Sequence, residues 1–136
     1  MVDRAVKAAL HLRPEAGEAQ LERARYLYMC NRDYENARAE LSTVQSKLPN
    51  NAQVFALMGS IDRVQGRWKE SARNYEKALE LDPRNLFTLR QVALDYAAMR
   101  RFADSASIID RSIAVAPQDV DLRVCRAWLD LDWRAD

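Results

Sequence analysis

One histidine, His11, and two cysteines, Cys30 and Cys125, are the side chains from which a nucleophile, a general base or a soft metal ligand would be drawn. They form no constellation. His11 falls late in an amphipathic stretch, at a place that faces solvent. The cysteines are far apart and make no ligand-spaced pair, so they read as two reduced thiols on helices. With three glycines in the chain there is no glycine-rich loop to cradle a phosphate. Carboxylates are plentiful, but basic residues stand beside them: Glu76 next to Lys77, and Glu80 four residues before Arg84, are the pairings of a solvated helix surface. The expectation is a chain that is not an enzyme and has no metal and no cofactor.

Bulk properties exclude further classes. The chain has 136 residues and a net charge of +1, with 49% hydrophobic and 30% charged residues. That is one domain's worth of ordinary globular composition. No segment carries a basic footprint, which argues against nucleic acid as a partner. No apolar run approaches the ~18 residues of a membrane span. The first fifteen residues lack the apolar core of a secretory signal, so the expected location is the cytoplasm.

The elements that position everything else come from a repeat. Pro14, Pro49, Pro83 and Pro117 keep a period of about 34 residues, and Tyr34, Trp68 and Phe102 keep the same beat. Within each period apolar residues recur at helical spacing in two runs, separated by a short polar turn. In residues 52–85 the first run is Phe55, Met58, Gly59 and Ile61. Gly66 turns the chain, and the second run is Trp68, Ala72, Tyr75, Ala78 and Leu79. Units over 18–51 and 86–119 follow the same plan. Asp33, Asn51, Asn85 and Asp119 stand where a helix needs an N-cap. Residues 1–17 read as a second helix only, with Gly17 as a one-residue insertion, and 120–136 as a first helix only.

These residues resemble the tetratricopeptide repeat. Large residues recur at Phe55, Leu89, Val92 and Tyr96, small ones at Gly59, Ala93, Ser71, Ser105 and Ala78, and proline near each unit's end. Arg25, Val44 and Asp62 depart from the pattern. Pentatricopeptide repeats have a longer unit and a basic face, and fit less well. The resemblance implies an all-α fold, a right-handed superhelix of helix-turn-helix units, and a non-catalytic scaffold that binds a protein partner.

By the same resemblance the groove is lined by Glu22, Tyr26 and Met29, then Gln53, Ser60 and Arg63, then Phe87, Arg90 and Leu94, with Trp128 at its end. The expected ligand is a peptide or helix on the apolar stripe, with acidic residues reaching Arg63 and Arg90. The carboxylate clamp that holds chaperone tails would fall on Glu22, Tyr26, Leu57, Phe87 and Gln91, and none of these matches it. Two alternatives stand beside the groove. One is self-association, giving a homo-oligomer through the closing helix by way of Val124, Trp128, Leu129 and Trp133. The other is a regulatory appendage of an enzyme whose catalytic domain lies elsewhere.

Overall fold

The computed structural model describes Arg4 and residues 16–135. Apart from Arg4, the helix expected over residues 2–12, with His11, lies outside the described residues. Seven helices follow in order. They are α1 (Gly17–Tyr26), α2 (Tyr34–Lys47), α3 (Ala52–Val64), α4 (Trp68–Leu81), α5 (Leu86–Ala98), α6 (Phe102–Val115) and α7 (Val120–Ala135). There is no strand among the described residues, and the fold is an all-α superhelix of helix-turn-helix pairs.

Four of the seven helices, α2, α3, α5 and α7, start on a side-chain cap. Asp33 accepts the backbone N–H of Asn36 at 3.2 Å, Asn51 that of Gln53 at 2.9 Å, Asn85 that of Thr88 at 3.1 Å and Asp119 that of Leu122 at 3.3 Å. Each bond satisfies a donor that the helix itself leaves open. The turns inside the pairs are equally regular. Arg32, Gly66 and Arg100 all have left-handed backbone, with φ of 52°, 76° and 61°. Only one of the three is a glycine. A Cβ added at Gly66 would meet nothing within 4 Å, so the backbone angle alone resists substitution. Gly66→Ala should therefore cost about 1 kcal/mol, the strain of a left-handed non-glycine residue less the gain from a stiffer unfolded chain. Urea denaturation reads this directly, and an unchanged midpoint would refute it.

The first pair departs from the others by one residue. The backbone caps Ala16, Asn51 and Asn85 precede α1, α3 and α5, and the first interval is one residue longer than the second. The extra residue is absorbed in a π turn at Leu27–Asn31, a one-residue bulge in a helix. Gly17 is therefore not a loop insertion. It is the buried first residue of α1, and a Cβ there would lie 2.8 Å from the Leu48 side chain. Counted back across the bulge, Ala24 takes the small-residue place and is fully buried. Arg25 moves to the surface.

The core is a line of clusters, each shared by neighbouring helices, as stacked repeats require. Leu21 and Ala24 of α1 pack with Ala37, Leu41 and Val44 of α2 and with Val54, Leu57 and Ile61 of α3. Ala72, Tyr75 and Leu79 of α4 meet Leu89, Val92 and Tyr96 of α5. Ala93, Phe102, Ala106 and Ile109 meet Leu129 of α7. Small residues set the close contacts within a pair. The Ser71 hydroxyl oxygen lies 2.9 Å from the Gly59 carbonyl, and at the matching place the Ser105 hydroxyl donates to the Ala93 carbonyl at 2.8 Å. Two expectations need correction. Leu129 is core, 5% exposed, because its side of α7 packs on α6, so it is not a self-association residue. Trp68 is 39% exposed rather than packed inward.

Candidate functional site

Two aspartates hold successive pairs together. Asp62 and Asp95 lie on first helices and are both buried. Asp62 accepts from Arg38 of the preceding unit at 2.7 Å and from Asn74 at 2.7 Å. Asp95 accepts from Arg63 at 2.8 Å and from the Ser71 hydroxyl at 2.6 Å. Arg63 also donates to the side chain and carbonyl of Gln91, and lies 5.3 Å from the centre of the Tyr75 ring. The Tyr75 hydroxyl in turn bonds Ser60 at 2.7 Å. Burial pushes the Asp95 carboxyl above its ordinary range, against the opposing pull of Ser71 and Arg63. Burial also pushes Tyr75 up to about 12, opposed by the Ser60 bond and by Arg63. A buried carboxylate needs this degree of pairing to remain charged.

Two recesses lie along the first helices. One, of about 510 Å³, has walls from α1, α3 and the start of α5, including Arg25, Tyr28, Met29, Gln53, Ala56 and Phe87. The other, of about 320 Å³, lies between α5, α6 and α7, and includes Arg90, Leu94, Ile109, Asp121, Cys125 and Trp128. Both are mostly apolar in lining. The large side chains at their edges stand in solvent: Phe87 is 56% exposed, Leu94 57% and Trp128 63%, with Met29 exposed as well.

The residues expected to line a groove divide into three sets. Met29, Gln53, Phe87, Arg90, Leu94 and Trp128 do line the recesses. Ser60 touches the first recess, but it is buried and committed to Tyr75 and to the Ala56 carbonyl. Arg63 lines neither, since its guanidinium is taken up by Asp95 and Gln91. Tyr26 and Glu22 also fall outside both. The π turn shifts the register of α1, so Arg25 and Tyr28 face the first recess instead. Glu22 pairs with Arg25 at 3.2 Å, and Arg25 donates to Gln53 at 2.9 Å.

Sequence reasoning took Asp62 for a weakened contact and passed over Asp95. Its signal was available: a carboxylate at a core place of a first helix, with an arginine one unit upstream. Of the residues expected at a self-association surface, Val124, Trp128 and Trp133 are exposed. Cys30 and Cys125 are free and exposed. Among the described residues no group of three or more histidine, cysteine or acidic side chains could hold a metal. No described helix is long and apolar enough to cross a membrane.

Residues 52–85 match the family model described as tetratricopeptide repeat. A BBSome complex member BBS4 homolog of Drosophila melanogaster is 24% identical over 91 residues, which is 67% of this chain and 19% of that protein. The match therefore spans about a fifth of that relative's length. Among solved structures, a thermophilic TPR protein of Thermus thermophilus superposes with a TM-score of 0.70 at 21% identity, over 93% of this chain and 70% of the other. The pilF protein of Pseudomonas aeruginosa superposes with a TM-score of 0.81 at 18% identity, over 98% and 62%. These likenesses concern the fold.

Proposed function

We propose that this chain, a tetratricopeptide-repeat protein, binds a segment of a partner protein along its first helices. Protein binding is the general role of the fold. The finer reading rests on one observation: Met29, Phe87, Leu94 and Trp128 stand exposed at the edges of two apolar recesses on those helices. Large apolar groups left in water beside an apolar hollow are what a peptide-binding groove requires. Other large apolar groups, Trp68 and Trp133 among them, also stand in solvent, but they line neither recess.

A random-peptide library displayed on phage tests the reading. Selected peptides should bind the chain, and Phe87→Glu and Leu94→Glu should each weaken them about tenfold or more, since both place a charge where an apolar anchor would sit. Both positions are exposed, so helix content by circular dichroism should not change. Peptides that bind both variants as tightly as the parent would contradict the groove.

A further inference from the structure

The charges along the groove point to the sign of the ligand. Its arginines are spent within the fold. Arg25 is held by Glu22 and Gln53, Arg63 by Asp95, and Arg90 by Asp119 at 2.5 Å. Asp121 and Asp132, in contrast, line the second recess, are exposed, and form no ion pair with any described residue. Together with Cys125 and Trp128 they occupy one stripe of α7, at spacings of four, three and four residues. Leu94 and Arg90 of α5 line the same hollow.

We infer that the second recess takes a basic peptide segment, with one large apolar side chain in the hollow and a lysine or arginine on either side reaching Asp121 and Asp132. This rests on the groove reading above and reverses the charge expected from sequence, which assigned acidic residues to Arg63 and Arg90. Exposed carboxylates beside an apolar pocket favour cations on the ligand and disfavour anions. Trp128 adds an open ring face to which a cation is attracted. The two carboxylates lie about 16 Å apart along the helix. An extended peptide covers that distance in about five residues, so its basic residues should be separated by about that number.

Peptides selected on the chain from the phage library should be enriched in this pattern. Synthetic copies, measured by fluorescence anisotropy, should bind Asp121→Asn/Asp132→Asn about tenfold more weakly at low salt, with the difference shrinking at high salt. Asp121 is in the first turn of α7 and also favours the helix start. The single variant Asp132→Asn, at the far end, carries no such burden and should show part of the loss. Peptides that are acidic or neutral, or that lose nothing in the double variant, overturn the basic assignment. If those same peptides still fail on Leu94→Glu, the groove stands and only the charge is wrong. If no peptide is enriched, or none responds to Leu94→Glu, both fall. A dimer by light scattering that Trp128→Glu abolishes would place a second copy in the recess and overturn the peptide.

Discussion

Replacing Arg63 by alanine lowers the free energy of unfolding by about 3–5 kcal/mol, the cost of stranding a buried charge by removing its partner. Asp95 is fully buried and depends on Arg63 and Ser71 for its hydrogen bonds. The side chain of Arg63 is itself only 20% exposed, so little water replaces it. The loss should depend on pH in a definite direction. In the folded chain Asp95 already titrates above its ordinary range, with burial the main cause. Without Arg63 it is held higher still. A folded pKa above the unfolded one means that the protonated form suits the fold. The contribution is whole below the ordinary carboxylate range and is lost as pH rises through the folded value. The variant should therefore lie closest to the parent near pH 4 and furthest at neutral pH. Exchanging both partners for apolar groups, Arg63→Met with Asp95→Leu, should restore much of the stability. Urea denaturation at the two pH values checks all three statements, and a loss equal at both would refute the account of Asp95.

Tyr75→Ala should cost about 3–5 kcal/mol, the range for removing a large buried aromatic group. Tyr75 is 1% exposed and joins α4 to α5 in the central cluster. Its ring lies so close to α3 that a Cβ at Gly59 would come within 3.0 Å. Tyr75→Phe separates the ring from its hydroxyl. It should cost only about 1 kcal/mol, because Ser60 keeps its bond to the Ala56 carbonyl and is not left without a partner. Gly59→Ala approaches the same contact from the other side and should cost about 1–3 kcal/mol by overpacking. If Tyr75→Phe proved as damaging as Tyr75→Ala, the hydroxyl network rather than the ring would hold the pairs together.

The difference between what could and could not be read from sequence follows range along the chain. Asp33, Asn51, Asn85 and Asp119 were legible as caps because a cap bonds its own neighbours two or three residues on. Gly59 and Ala93 were legible because a small residue in a regular register has one use. The clasps were not. Asp62 finds Arg38 twenty-four residues upstream, and Arg63 finds Asp95 thirty-two residues downstream. An arginine at a groove place reads as solvent-facing until its partner is positioned. That single difference moved Arg63 from the ligand to the scaffold and left Asp121 and Asp132 as the charges on offer. The π turn was hidden for another reason. The long proline interval announced an extra residue, but its location depends on which turn opens at least cost, and the composition near Gly17 suggested the wrong place. Met29, Phe87, Leu94 and Trp128, assigned to the groove by the resemblance, are exposed, since a helical period leaves one face of each element away from the core.

The central claim, a partner segment held along the first helices, is tested most directly by mapping amide shifts of the labelled chain as a selected peptide is added. The account predicts changes on the exposed faces of α3, α5 and α7, centred on Phe87, Leu94 and Trp128. Saturable changes confined to the outer faces of α2, α4 and α6 would contradict it.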